Sequence, residues 1–265
     1  MRGHAICRWV NNMSKKKKVN KKVKKKKLRI VFFLFLVLIA VFLLVSFKTD
    51  IFNISSVIVN GNEKLSSDQV IKASGCILKE NIFRVSTSEM EKRLMMQPYI
   101  KDAKIKRKLP NKIKINIAER KEKMILPYVG SYLYLDNEGF VLDIRTSKEE
   151  NKIPIISGLN IEEPKRGSSI ELKNGESFDK VENFIELCDT LNIYALFANL
   201  DFTDKDNISI DMKNGIKVAF GPLNNVKYKL SYLNSIINDI NKKGIICKQV
   251  IFNKGENPII VTDNK

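Results

Sequence analysis

The feature that most constrains the fold is an uninterrupted apolar segment near the N-terminus. Residues 30–47 contain no charged side chain, and all but Ala40 and Ser46 are large and apolar. As a helix rising about 1.5 Å per residue, this segment would extend roughly 27 Å, which is close to the roughly 30 Å hydrocarbon thickness of a bilayer. The sequence therefore predicts one transmembrane helix over residues 30–47.

Two other interpretations of this segment remain open. A buried core helix would keep a polar stripe, and this segment has none. A cleaved signal peptide would have a shorter basic region than the one before residue 30. It would also end in an A-x-A-like site, whereas residues 44–48 read Leu-Val-Ser-Phe-Lys. Both observations favour an uncleaved anchor.

The charge of the chain is concentrated in a cytoplasmic tail predicted over residues 1–29. The chain has 47 Lys and Arg against 29 Asp and Glu, a net charge of +18, and 13 of the basic residues but none of the acidic ones lie in this tail. The positive-inside rule keeps such a tail in the cytoplasm and places residues 48–265 outside it. The lysine run could also bind anionic lipid or nucleic acid. Because no aromatic residue is interleaved with the lysines as a base-stacking platform, we predict no nucleic-acid partner.

Histidine and cysteine usage excludes several kinds of chemistry. The single histidine, His4, lies in the tail, so the folded part has neither a histidine base nor a His-rich metal site. The cysteines, Cys7, Cys76, Cys188 and Cys247, form no C-x-x-C pair. We expect free, mostly buried thiols, no bound metal and no cofactor.

Residues 48–120 predict an α+β domain with the order β-α-α-β-β. A strand-like run ends at a Gly61-Asn62 turn, and Ser66 with Gln69 forms a capping box that begins a short helix. A second helix ends before Pro98. Two alternating strands follow, joined at Leu109-Pro110-Asn111.

Residues 121–262 predict a second α+β domain with a mostly antiparallel sheet, followed by a three-residue tail, 263–265. Asn214-Gly215 lies between two alternating runs, which is the strongest short hairpin signal. Apolar residues recur at helical spacing around Cys188 and again from Leu230 to Ile240, and this pattern predicts two helices with buried faces.

Several short motifs resemble the FtsQ/DivIB family of cell-division proteins, whose extracytoplasmic part opens with a POTRA domain. These motifs are Ile54-x-x-Val57-x-Val59-x-Gly61-Asn62, Pro98-Tyr99-Ile100-x-x-Ala103, Arg107-x-Leu109-Pro110, Ile115-x-Ile117-x-Glu119-Arg120, Asp136-x-x-Gly139 and Ile153-Pro154. The resemblance covers roughly residues 28–262. Where the family has an Asp-Leu-Arg-like motif, this chain has Ile251-Phe252-Asn253.

The resemblance implies a non-enzymatic scaffold at the division septum. Such a scaffold binds the small FtsB/DivIC- and FtsL-type proteins, and through them an FtsW-type polymerase and a septal transpeptidase. In the family, the FtsB-type partner adds a strand beside the last strand of the second domain. That site corresponds here to Asn253, Lys254, Pro258, Ile259, Ile260 and Val261. A terminal strand that merely completes the sheet is the alternative, because every sheet has edges.

A second candidate site is a basic hairpin between residues 101 and 123, with ten cations and three anions. Its central residues are Lys104, Lys106, Arg107, Lys108, Lys112 and Lys114. Such a patch could contact anionic lipid, anionic wall polymer or an acidic partner. It could equally be the solvated face of two strands.

Two other functions remain as alternatives. A POTRA-bearing export or chaperone factor would usually carry tandem POTRA units. A cell-wall hydrolase would need two carboxylates in one cleft, for which Asp201, Asp204, Asp206 and Asp211 are the candidates.

Overall fold

A computed structural model of the 265-residue chain describes residues 27–42, 44–45, 49–149, 153–173, 177–255 and 257–262. Two compact units divide the chain. The first comprises Met1–Ile58, Cys76–Thr87 and Lys106–Lys114, and the second comprises Val59–Gly75, Ser88–Ile105 and Ile115–Lys265. The predicted tails 1–29 and 263–265 lie outside the described residues, apart from residues 27–29.

The N-terminal part of the fold follows the predicted order of elements. A short 3-10 helix, Asp50–Phe52, precedes β1 (Ser56–Asn60), α1 (Ser67–Ser74), α2 (Thr87–Met95), β2 (Ile100–Lys108) and β3 (Lys112–Glu119). The predicted capping box is present: the Gln69 amide donates to the Ser66 hydroxyl at 3.2 Å, and the Ser66 amide donates to the Gln69 side chain at 2.8 Å. The three strands are ordered β1-β3-β2.

A nine-stranded sheet dominates the rest of the chain. Its strands are β4 (Met124–Tyr128), β5 (Ser131–Leu135), β6 (Val141–Arg145), β7 (Ile155–Ser157), β8 (Phe197–Asp201), β9 (Ser209–Met212), β10 (Lys217–Ala219), β11 (Cys247–Ile251) and β12 (Ile259–Thr262). Their order is β12-β11-β10-β9-β8-β7-β4-β5-β6, so that β12 and β6 are the two edges.

Two helices supply the apolar cover of this sheet. Helix α3 (Asp179–Thr190) precedes a 3-10 helix, Tyr194–Leu196, and α4 (Val226–Lys243) lies between β10 and β11. Phe184 and Cys188 of α3 and Leu233 and Ile237 of α4 belong to one buried core with the strands. Burial raises the pKa of the Cys188 thiol, which is a packing residue here as the helical spacing predicts.

The predicted fold class is wrong on the membrane segment. No helix among the described residues combines the length and the apolar character that crossing a membrane requires. Within the predicted span of 30–47, residues 30–42, 44 and 45 are described, and they are helical. Residues 43 and 46–48 lie outside the described part.

The second predicted sheet is mixed, because parallel pairs occur beside the antiparallel majority. Strand β4 pairs parallel to β7, β7 parallel to β8 and β10 parallel to β11, whereas the other five neighbouring pairs are antiparallel. Parallel neighbours need a long crossover connection. Helices α3 and α4 supply two of these connections, because they join β7 to β8 and β10 to β11.

Candidate functional site: an open sheet edge

The last strand of the chain, β12, lies at one edge of the nine-stranded sheet. It pairs antiparallel with β11, with Ile260 opposite Val250 and Ile259 opposite Ile251. No described strand pairs with its other side. A strand in this position presents backbone N–H and C=O groups on which another chain can extend the sheet.

Three of the four side chains of β12 are apolar, and they are exposed on both faces of the strand. Ile259, Ile260 and Val261 are 47%, 44% and 38% exposed. Neighbouring residues of a strand point to opposite faces, so neither face of this edge is covered. Isolated proteins usually protect an edge strand with charges, proline or a covering loop. An uncovered edge of β-branched residues therefore suits strand addition better than solvent exposure.

The other residues predicted for this site precede the strand. Asn253 and Lys254 lie in the connection between β11 and β12, outside both strands. The side-chain amide of Asn253 donates to the side-chain oxygen of Asn207 at 3.2 Å. This hydrogen bond ties the connection to the loop before β9. Pro258 immediately precedes β12, and the absence of a backbone N–H costs nothing at that position.

A cleft of about 520 Å³ lies beside the start of β12. Asn253 and Pro258 line it, together with Asp206, Tyr228 and Lys229 among others. The cleft thus adjoins the open edge and offers a partner polar and aromatic groups in addition to the strand.

Lys229 shapes this cleft, and the sequence prediction did not include it. Its buried ammonium group donates to the carbonyls of Phe220 and Pro222 at 3.2 and 2.8 Å and to the side chain of Asn224 at 2.7 Å. Burial lowers the pKa of this ammonium. A signal was available, because Lys229 lies four residues before Leu233, on the apolar face of α4.

The basic hairpin does not form one uniform patch. Arg107 donates to the carbonyls of Ile82 and Val85 at 2.9 and 2.7 Å, so that it binds the backbone of its own unit. Lys106 and Lys108 flank Arg107 and are exposed on the opposite face of β2.

The other lysines of the hairpin divide between the units. Lys112 and Lys114 alternate with the buried Ile113 and therefore point away from the core. Lys104 is exposed on β2 but belongs to the second unit. The first unit thus holds four of the predicted lysines on its outer surface, and Arg107 has a separate structural role.

A partly buried ionic network centred on Glu122 is a feature that the sequence prediction missed. One carboxylate oxygen of Glu122 accepts from Lys64 at 2.5 Å, from Arg145 at 2.6 Å and from the Tyr99 hydroxyl at 2.6 Å. Burial opposes ionisation of Glu122, but the hydrogen bonds from Lys64 and Tyr99 and the charges of Lys64 and Arg145 lower its pKa overall. Burial and the Glu122 carboxylate raise the pKa of Tyr99.

A second ion pair reinforces the same region. Arg120 donates to the buried Asp136 at 2.5 Å and to Glu138 at 2.9 Å. Asp136 also accepts from the amides of Glu138 and Phe140, both at 2.9 Å, which closes the turn between β5 and β6. These contacts hold residues 120–122 against the β5–β6 hairpin within the second unit.

The acidic residues considered for hydrolysis do not converge in the cleft. Among its described lining residues, Asp206 is the one carboxylate. Asp201 accepts from the amide and hydroxyl of Thr203, and Asp204 accepts from the amide of Asp206 and the side chain of Asn207. These are local turn bonds. No group of three or more metal-ligating side chains occurs in the part of the chain that the structure describes.

Comparison with known proteins decides the family. The family model described as "POTRA domain, FtsQ-type" matches residues 52–120, and the one described as "Cell division protein FtsQ/DivIB, C-terminal" matches residues 127–251. The chain belongs to the FtsQ/DivIB family of cell-division proteins. This membership gives the chain a role in cell division.

Relatives named "Cell division protein DivIB" agree with this family. The protein from Clostridium tetani is 28% identical over 202 residues, which are 76% of this chain and 76% of that protein. The protein from Clostridium botulinum strain Hall is 27% identical over 220 residues, which are 83% of this chain and 85% of that one.

One solved structure, the major extracytoplasmic domain of the trans isomer of DivIB from Geobacillus stearothermophilus, was also matched. It has a TM-score of 0.30 and 13% identity, covering 47% of this chain and 97% of that domain. At that TM-score the likeness carries no weight in the interpretation of the fold.

Proposed function

We propose that the chain is a non-enzymatic scaffold of the division machinery that binds small FtsB/DivIC- and FtsL-type proteins by strand addition at β12. Through them it would connect to an FtsW-type polymerase and a septal transpeptidase, at the membrane of the division septum. The observation that carries this proposal is the open edge of β12, with apolar side chains exposed on both faces. Strand addition satisfies the backbone groups of such an edge and covers its side chains.

The proposal keeps the predicted division of the chain, with a POTRA domain over residues 48–120 and a partner-binding domain over residues 121–262. The bound segment would lie along Ile259, Ile260 and Val261. The cleft lined by Asn253 and Pro258 would receive the residues that precede or follow that segment. Lys254, which is exposed beside the cleft, would lie at the border of the interface.

Proline substitutions in β12 test the proposal directly. In an antiparallel pair, successive residues alternate between bonding the partner strand and pointing their N–H away from it. Of Ile260→Pro and Val261→Pro, one therefore removes an N–H that bonds β11 and the other removes one that faces the open edge. We expect the variant that loses the outward N–H to fold normally and to bind the FtsB/DivIC-type partner at least about 30-fold more weakly, measured with purified proteins.

Ile144→Pro is a matched control on the opposite edge of the sheet. Ile144 lies in β6, and its amide donates to the side chain of Asp143 at 3.1 Å. This variant should keep partner affinity. Normal binding by both β12 variants, or equal loss in the β6 variant, would show that the partner binds elsewhere.

Localisation tests the wider role separately. A fluorescent fusion at the N-terminus should form a band at midcell before constriction begins. An even signal around the cell envelope would contradict the septal role and would favour the export-factor and cell-wall-hydrolase alternatives.

A further inference from the structure

The first unit exposes both large apolar and basic side chains. Ile77, Leu78 and Leu109 are 65%, 54% and 58% exposed. The surface, called here the apolar–basic surface, is formed by these three residues together with Lys79, Lys106, Lys108, Lys112 and Lys114, all exposed or half-buried.

Backbone hydrogen bonds bring the two parts of this surface together. The Lys79 amide donates to the Ile54 carbonyl at 2.8 Å, and the Ser55 amide donates to the Asn111 carbonyl at 2.8 Å. The loop carrying Ile77 and Leu78 and the turn carrying Leu109 thus flank the same extended segment. Two interstrand spacings of roughly 4.8 Å separate the backbone at Lys79 from that at Asn111 by about 10 Å.

The charge of this unit is strongly positive. Its described residues include nine basic side chains (Lys27, Arg29, Lys79, Arg84, Lys106, Arg107, Lys108, Lys112 and Lys114) against two acidic ones, Asp50 and Glu80. Within the described part of the chain, none of the five lysines of the apolar–basic surface forms an ion pair. Their charges are therefore available to an external anion.

We propose that the apolar–basic surface docks on a lipid bilayer that carries anionic headgroups. The lysines would contact the headgroup phosphates, while Leu109, Leu78 and Ile77 enter the boundary between headgroups and acyl chains. This inference stands on contacts other than those of β12 and does not depend on strand addition.

The apolar residues favour lipid over an anionic wall polymer. A hydrated polyanion would pair with the lysines equally well, but it would leave the three apolar side chains in water. A bilayer surface accepts both kinds of group in one layer, and the association is stronger with each apolar side chain that leaves water.

The neighbouring helix gives independent support for an apolar environment. Residues 28–42 of the same unit expose apolar side chains nearly throughout. The ring of Phe42 lies 6.4 Å from that of Phe52, and Phe52 lies 5.2 Å from Phe83. Phe83 is in the loop that carries Ile77 and Leu78, so this aromatic row joins the helix to the proposed docking surface.

A local reporter is needed to test the proposal, because the tail over residues 1–29 brings 13 basic side chains that bind anionic vesicles by themselves. The chain has one tryptophan, Trp9. In the full-length Trp9→Phe protein, Leu109→Trp and Leu78→Trp place a single indole on the surface. Val129→Trp serves as the reference, because Val129 lies at a turn of the second unit and is 89% exposed.

The measurement is tryptophan emission and its quenching by brominated lipids, in vesicles of phosphatidylcholine with about 30% phosphatidylglycerol. We expect a blue shift and quenching for Leu109→Trp and Leu78→Trp but not for Val129→Trp. Because the tail already holds the protein on the vesicles, the effect of the lysines is measured at saturating lipid. Each lysine near an anionic surface contributes about fivefold, so Lys106→Gln/Lys108→Gln should lower the ratio of quenched to unquenched indole in Leu109→Trp about 30-fold. The matched pair Lys227→Gln/Lys242→Gln, exposed on α4, should leave it unchanged.

Two results would overturn the proposal. Equal quenching of the indole at positions 109 and 129 would mean that the surface does not enter the bilayer. The surface would be a polymer site instead if the emission of Leu109→Trp did not change with vesicles but did shift with soluble anionic wall polymer.

Discussion

The hydroxyl of Tyr99 and the carboxylate of Glu122 should be energetically coupled, and a double-mutant cycle measures how strongly. Tyr99 is 5% exposed and donates to Glu122 at 2.6 Å. A hydrogen bond to an ionised group contributes about 1.5–3 kcal/mol, and water cannot replace it easily at this depth. We therefore expect Tyr99→Phe to lower the free energy of unfolding by about 2 kcal/mol.

Glu122→Gln removes the charge that Lys64 and Arg145 share. Lys64 is half-exposed and can return to water, and Arg145 keeps Asp143 at 2.9 Å, so neither cation is left without a partner. We expect Glu122→Gln to lower the free energy of unfolding by about 2–3 kcal/mol. Each single variant loses the bond between Tyr99 and Glu122, and the double variant loses the same bond only once. The double variant should therefore lower the free energy of unfolding by about 1.5 kcal/mol less than the sum of the two single variants.

The assay is equilibrium urea unfolding of the full-length chain, followed by far-ultraviolet circular dichroism. Tyr228→Phe is the matched control, since Tyr228 is an exposed tyrosine of α4. Its effect should add to that of Glu122→Gln within about 0.5 kcal/mol. A coupling energy between Tyr99 and Glu122 below about 0.5 kcal/mol would refute the assignment of this network as a stabilising contact.

Three further predictions concern stability. Lys229→Met should lower the free energy of unfolding by about 2–4 kcal/mol in urea titrations, because it leaves three acceptors without their donor, and a loss under 1 kcal/mol would contradict this. The pKa of Glu122 lies below its ordinary value of 4.5, so its stabilisation is complete above that value and is lost as the pH falls through the folded-state pKa. The free energy of unfolding should therefore change less between pH 6 and 3 in Glu122→Gln than in the unmodified protein. Equal slopes of this free energy against pH in the two proteins would exclude the effect. Gly158→Ala should lower the melting temperature by several degrees, since Gly158 has φ +81° and a Cβ there would lie 2.0 Å from the Thr203 nitrogen; an unchanged melting temperature would contradict that clash.

Elements whose determinants are local in the chain could be predicted. The capping box at Ser66, the hairpin at Asn214-Gly215 and the buried position of Cys188 all agree with the structure. Each depends on residues within a few positions of one another, where backbone preference and helical spacing act directly.

Hydropathy was less informative about the membrane segment. The uncharged run 30–47 predicted a helix that spans a membrane, and that prediction was wrong for the described residues. An apolar composition states which environment a segment prefers, but it does not by itself fix the structure that the segment adopts. Asn253 and Lys254, which were predicted for the partner-binding site, lie in the connection before β12, and their part in binding stays a prediction.

The sequence by itself determined the family, the order of the N-terminal elements, the charge of the hairpin and the β-forming character of residues 259–261. Only the tertiary structure decided that Arg107 binds the carbonyls of Ile82 and Val85 while the lysines beside it stay exposed. It also decided that Lys64 meets Glu122 across 58 positions of the chain, and that β12 is an edge. The physical reason is that periodicity and propensity describe each segment against a uniform surrounding, whereas burial, ion pairing and edge exposure depend on which distant segments pack beside it.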